Sequence, residues 1–268
     1  MRKKVLALIL SLGMVFSVSA PAFAANGEIA ERDNYVEIGN GERQNNFAQF
    51  NGTVNTGDIL SPVESIEKQL AGLSEAQKEI ALEKLNDDGS GDAEIMPYAT
   101  TWNYLTDFVI YKQSTTYYCT VASCKAAMQY LTGSSDSQST IASALGTTSS
   151  GTEFGKAKTY LNNNQSANTY VSKAADTSLT TMKSNFYTAI NSFDAPPLIS
   201  VKLSTSEGWA YNTSGHTMCI SGARSDKEYF RIADPYIQWA DSDASMFYSK
   251  SASAIHDAIS DRGNGYIY

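Results

Sequence analysis

Cys119 anchors the strongest chemical pattern in the chain. It stands six residues after Gln113 and directly before an apolar stretch, Val121 to Leu131, whose spacing is helical. A cysteine at a helix start meets free amide groups and the positive end of the helix dipole. Both favour the thiolate, the nucleophilic form of the side chain. A thiolate working on a carbonyl needs a proton acceptor, and His216 and His256 are the two histidines in the sequence. His216 follows Gly215 and begins an apolar strand, whereas His256 falls in a polar run of Ser, Ala and Asp. A catalytic imidazole must be held in one orientation, so the strand is the firmer platform. Its second nitrogen needs an acceptor. Asp234 ends the next strand, in Arg231-Ile232-Ala233-Asp234-Pro235, and a short hairpin returns it beside His216. Gln113 supplies a neutral side-chain donor for a tetrahedral oxyanion, and the Cys119 backbone amide a second.

These residues need a scaffold of two kinds. Helices come first. The spacing predicts one from Cys119 to Leu131, stopped at Gly133, with Val121, Cys124, Met128 and Leu131 on one face and Ala122 and Ala126 allowing close packing. Others are expected from Ser139 to Leu145, from Glu153 to Leu161 capped by Thr152, and from Ser178 to Ile190. The period then changes. Leu198 to Leu203, His216 to Ser221 and Glu228 to Ala233 read as strands, the last two joined by a turn at Asp226-Lys227. A helix near Ser251 to Ile259 and a short strand at Tyr266 to Tyr268 close the chain. Helices followed by antiparallel strands make an α+β domain over residues 98–268. Cys124 and Cys219 are expected to be buried small hydrophobes, His256 a surface residue, and Trp209 and Trp239 parts of the core or a cleft wall.

Gln113, then Cys119 at the head of a long helix, then Gly215-His216, then Asp234-Pro235 is an order that resembles the papain-like cysteine peptidases. It is most similar to the relatives of the peptidases that trim double-glycine leaders from bacteriocins. The similar stretch runs from Ile110 to Pro235 and includes Ser139-Thr140-Ile141-Ala142, Leu145-Gly146-Thr147 and Gly151-Thr152. The resemblance implies a papain-like fold, with Cys119 as nucleophile, His216 as general base and acid, Asp234 as orienting residue and Gln113 as oxyanion donor. Family members often carry Gly after the nucleophile, where this chain has Thr120. The leader-trimming enzymes are joined to a membrane exporter, and no exporter segment is found here, so a leader peptide is not the expected substrate.

Charge and hydropathy divide the remainder. Arg2, Lys3 and Lys4 precede an apolar run from Val5 to Val18 and a small-x-small site at Ala22-Phe23-Ala24. That is the order of a secretory signal peptide over residues 1–24. The apolar run is shorter than the ~20 residues of a membrane span. Export into the extracellular medium is therefore expected, without stable membrane association. Residues 25–97 hold fifteen acids against five bases, whereas residues 98–268 hold thirteen against twelve. The acidic segment contains two helix starts, Ser61-Pro62-Val63-Glu64 and Ser74-Glu75-Ala76-Gln77, each a capping box. Val63, Ile66, Leu70 and Leu73 share one face of the first helix, and Ile80 and Leu85 give the second a looser stripe. A linker, Asn86 to Asp92, follows. A helical hairpin on a linker between a signal peptide and a compact domain reads as a pro-segment or spacer. As a pro-segment it would pack on the domain and screen the cleft, with processing between Asp87 and Thr100.

The net charge of -8 and the lack of a basic block argue against nucleic acid as a partner. Three cysteines do not make a disulfide framework. No paired Cys or His spacing and no Gly-rich phosphate loop is present, so no metal or cofactor is expected. The readings that remain are an exported thiol peptidase made as a precursor and acting on a peptide or protein, another thiol acyl-transfer enzyme such as a transglutaminase or cell-wall amidase, and a non-enzymatic binding protein on the same scaffold.

Overall fold

The computed structural model describes residues 66–86, 100–236 and 246–268. The expected signal peptide, the Ser61 capping box, the expected linker after Asn86, the expected processing region and Trp239 lie outside the described residues. Seven strands form one antiparallel sheet: β1 (Trp102–Tyr104), β2 (Ser172–Lys173), β3 (Leu198–Leu203), β4 (Thr213–Arg224), β5 (Tyr229–Ala233), β6 (Phe247–Ser251) and β7 (Tyr266–Ile267). Their order is β2-β7-β3-β4-β5-β6, with β1 pairing the far end of β4. The architecture is α+β, helices first and sheet later, as expected. It is compatible with a papain-like peptidase. The strands β1, β2 and β6 were not anticipated.

The long central strand and the central helix position the site. Helix α3 (Cys119–Thr132) is buried without a break from Cys119 to Met128, so it lies in the middle of the domain rather than on its surface. It ends where expected, because Gly133 takes the left-handed conformation and donates its N–H back to the Gln129 carbonyl. Lys125, on this buried helix, sends its ammonium to the Asp136 carbonyl at 2.9 Å and lies over the Tyr111 ring. Against β4, α3 makes a polar seam. The hydroxyls of Thr120 and Thr217 bond at 2.8 Å, Ser123 donates to the Thr217 carbonyl, and Cys219 contacts the Ser123 carbonyl. Thr217 and Cys219 thus share the α3 side of β4, two residues apart as strand alternation requires. Thr120 is fully buried in this seam, which gives it a packing role that Gly at the same place would leave empty.

Helices α4 (Gln138–Leu145) and α5 (Gly155–Asn164) pack on α3. Ser137 caps α4 through the Thr140 amide. The Thr152 cap on α5 is a misreading: the helix begins at Gly155, and the Thr152 hydroxyl is bonded to that of Thr147 at 2.7 Å instead. Helix α6 (Leu179–Asn191) is capped by Ser178 and brings Phe186 edge-on against Phe230 of β5 and Tyr266 of β7. Helix α7 (Ala252–Arg262), capped by Ser251, packs on β3 and α6. His256 is partly buried there rather than freely exposed, with Nε2 2.9 Å from the Thr177 carbonyl.

The N-terminal helices are α1 (Ile66–Leu70) and α2 (Glu75–Asn86). The second capping box is formed as expected: Ser74 N–H bonds the Gln77 side chain at 3.0 Å, and Gln77 N–H bonds the Ser74 hydroxyl at 3.4 Å. Leu70, Leu73 and Leu85 of the expected stripes pack against the core, but the most buried positions are others. Ile66 is exposed, and Gln69, Ala81 and Lys84 are the buried residues. Lys84 donates to Asn168 Oδ1 at 2.8 Å and lies among the rings of Phe193, Tyr268 and Tyr170. Burial lowers its pKa to about 7, against a smaller raising effect of Glu83.

The edge that receives these helices depends on Gly265. Its φ is +77°, and a Cβ there would come within 2.0 Å of the Lys173 carbonyl oxygen on β2. Gly265→Ala is expected to destabilise the fold by roughly 2–4 kcal/mol, combining left-handed strain with a backbone clash. Urea unfolding measures the loss, and Ala at Gly133, with open space around it, is the control for strain alone.

Candidate active site

The site is assembled at the N-terminus of α3 and on the adjacent strands β4 and β5. Cys119 is the first residue of α3, and no side chain caps its first turn. His216 lies within β4 opposite Val201 of β3. Asp234 follows the last residue of β5, and the β4–β5 hairpin brings its carboxylate to the imidazole: His216 Nε2 is 2.8 Å from Asp234 Oδ1. Cys119, His216 and Asp234 are all fully buried. The ring nitrogen left after the bond to Asp234 is Nδ1. It makes no conventional hydrogen bond, but the Cys119 thiol is the further side chain that acts on the ring.

Burial works against a charged imidazole. The charge and hydrogen bond of Asp234 outweigh it, with a further contribution from Cys119, and push the His216 pKa up to about 10. Burial likewise raises Asp234, but the charge and hydrogen bond of His216 hold its carboxyl below the usual range. The pair is therefore an imidazolium–carboxylate at neutral pH. The other two cysteines are in a different state. Burial pushes the Cys124 thiol well above its usual value and Cys219 up to about 12, so both stay protonated. Among the described residues no cluster of His, Cys, Asp or Glu could hold a metal ion.

Residues 105–256 match the model of the Peptidase_C39 like family. The chain belongs to the Peptidase_C39 like family. A search of curated proteins finds no match. The matched span contains Gln113, Cys119, His216 and Asp234, and it leaves out α1, α2, β1 and β7. At the level of the family this supports a peptidase of the cysteine type, with a peptide or protein as its substrate.

In this Peptidase_C39-like domain Gln113 sits next to Asp234, because its backbone N–H bonds the Pro235 carbonyl at 2.9 Å. Its side chain is buried, and Nε2 donates to the Thr115 carbonyl at 2.7 Å. That carbonyl fixes which end of the amide is nitrogen. One Nε2 hydrogen is taken up by Thr115 and the second is left over.

Four supports were not found from the sequence. Tyr211 and Tyr248 both donate to Asp234 Oδ2, at 2.8 and 3.0 Å. The Tyr236 amide bonds Oδ1 at 2.9 Å. Gln138, buried at the start of α4, holds both neighbours of Gln113: its Nε2 donates to the Lys112 carbonyl at 2.7 Å and its Oε1 accepts from the Ser114 amide at 3.0 Å. Only the tyrosine beside Asp234-Pro235 had a positional signal, as the residue completing the turn after the strand.

The shifted pair makes stability depend on pH. A raised His216 pKa contributes stability that is complete below its ordinary value of 6.5 and is lost as pH rises through about 10. A lowered Asp234 pKa contributes stability above 3.8 that is lost as pH falls. Asp234→Asn is expected to cost about 3–5 kcal/mol near pH 6. The gap to the wild-type chain in urea unfolding should narrow from pH 6.5 toward pH 10.

Proposed function

We propose that this chain is an exported cysteine peptidase that works through Cys119, His216 and Asp234 with Gln113 as oxyanion donor, and is made with an N-terminal segment preceding the catalytic domain. The observation that carries the reading is the buried His216–Asp234 pair with its second ring nitrogen on the side of Cys119. The proton of the Cys119 thiol already rests on His216 Nδ1, which makes the ring an imidazolium, and the Cys119 thiolate attacks the carbonyl carbon of the scissile peptide. The carbonyl oxygen becomes an oxyanion, to which the second Gln113 Nε2 hydrogen and the amides at the uncapped start of α3 donate. The imidazolium returns its proton to the leaving amine, and the bond to that amine breaks. Water then attacks the thioester, with His216 as base, and frees the second product and the thiol. Asp234 keeps the ring in the tautomer and orientation that both proton transfers need. Export rests on the signal-type order of residues 1–24.

A peptide library tests the assignment. Cys119→Ala is expected to abolish cleavage with the fold retained, whereas Cys124→Ala keeps it at a stability cost of about 1–2 kcal/mol. Iodoacetamide should label Cys119 first, and more slowly in His216→Ala. Labelling of Cys124 or Cys219 with Cys119 inert would overturn the nucleophile.

Gln138→Ala removes the amide bridge around Gln113 without touching the triad. It should lower kcat about tenfold or more while the alkylation rate of Cys119 stays unchanged. Gln138→Glu, which keeps the bond to Ser114, should lose less.

A further inference from the structure

The α1–α2 helices occupy a place that does not fit a cleft inhibitor. Their hydrogen bonds go to Ser172, Asn162, Asn168, Lys173 and Tyr268. Ser172 and Lys173 are β2, the edge of the sheet, and β7 and β3 stand between that edge and the strand carrying His216. On this edge Gln69 acts as a substitute strand. Its Oε1 accepts from the Ser172 amide at 2.7 Å, and its Nε2 points back to the Ser172 carbonyl at 3.4 Å. One amide side chain thereby occupies both backbone groups that an edge strand would leave open. On α2, Lys84 enters a box of three rings, 4.6 Å from the Phe193 centroid, 5.2 Å from Tyr268 and 5.7 Å from Tyr170, with Asn168 at its end. The Tyr268 hydroxyl donates to the Lys84 carbonyl, and Lys173 Nζ to that of Leu85 at 3.4 Å. The acids of the two helices, Glu67, Glu75, Glu79 and Glu83, are exposed.

We infer that the hairpin of residues 66–86 is a lasting clamp on the β2–β7 edge, anchored by Lys84 in the Tyr170–Phe193–Tyr268 box, and that it stays with the domain after the chain is cut behind it. The surface takes a helical hairpin whose first helix offers a side-chain amide to an edge strand and whose second offers an ammonium to a ring-walled pocket. Its attachment is buried and largely made of neutral groups, so salt does not release it. It goes beyond the peptidase reading and is tested without any activity assay.

Residues 88–92 of the full chain are replaced by the recognition sequence of a site-specific protease, and the purified protein is cut and passed through gel filtration at about 0.1 M and about 1 M salt. The expected result is that the N-terminal fragment co-elutes with the domain in both. Lys84→Ala in the same chain should speed fragment loss by at least about tenfold, a difference of one decade in affinity. Glu83→Ala, on the exposed side of the same turn, should behave as wild type. Dissociation of the wild-type fragment on cutting would overturn the clamp, and dissociation only at high salt would replace it by a charge-held segment. Retention of the Lys84→Ala fragment at the wild-type rate would overturn the anchor.

Discussion

A carboxylate with no access to water is one of the costlier things a small domain can bury, and Asp234 is such a group. A carboxylate offers about four acceptor positions. Here four donors take them: His216 Nε2 and the Tyr236 amide at Oδ1, and the Tyr211 and Tyr248 hydroxyls at Oδ2. Each donor comes from a different part of the chain. His216 belongs to β4, Tyr236 to the turn after β5, Tyr248 to β6 and Tyr211 to the segment leading into β4. Losing any of them leaves part of a buried charge unmet, so the carboxylate holds four pieces of backbone in place at once. The same arrangement keeps Asp234 ionised and His216 protonated. Two tyrosine rings, Tyr211 and Tyr236, also pack around the imidazole.

The orientation of Cys119 is set from the other side, by the way α3 meets β4. The Thr120–Thr217 bond and the Ser123 contacts are polar groups inside a buried interface, and they are satisfied only in one register of helix against strand. A helix shifted by one residue would strand those hydroxyls. The small residues Ala122, Ala126 and Ala127 allow the close approach. Cys119 is thus positioned by hydrogen bonds of its neighbours Thr120 and Ser123, and the Gln113 loop by an amide, Gln138, from a third element. The parts of the site are joined directly as well, since the Gln113 N–H is bonded to the carbonyl of the residue after Asp234.

The N-terminal acidity has a simpler place than its magnitude suggests. In the described helices the acids face solvent, while the face turned to the domain presents Gln69, Ala81 and Lys84. Charge keeps this segment hydrated, and shape and hydrogen bonding attach it. The α1–α2 helices contact the β2 edge, the opposite edge of the sheet from β5 and β6, and the rest of the segment expected to screen the cleft lies outside the described residues.

The sequence by itself determined whatever depends on local physics. Gly133, Ser137, Ser178 and Ser251 end or begin helices where their backbone freedom or their hydroxyls satisfy the nearest free groups. The Asp226-Lys227 turn sets the pairing of β4 and β5, and with it the meeting of His216 and Asp234. The two- to five-residue strands β1, β2 and β6 are too short to show a period, and their pairing energy comes from distant neighbours. Thr152 reads locally as a cap, but the partner its hydroxyl found, Thr147, precedes it. Lys84 was least legible of all. A lysine on an acidic amphipathic helix is ordinarily solvated, and nothing nearby in the chain says otherwise. Its burial was decided by Asn168, Tyr170, Phe193 and Tyr268, which become a pocket only once the C-terminal strand is inserted between β2 and β3. The tyrosines on Asp234 and the amide clamp of Gln138 belong to the same class. Each is a polar group far off in sequence whose role follows from satisfying another group that folding has taken out of water.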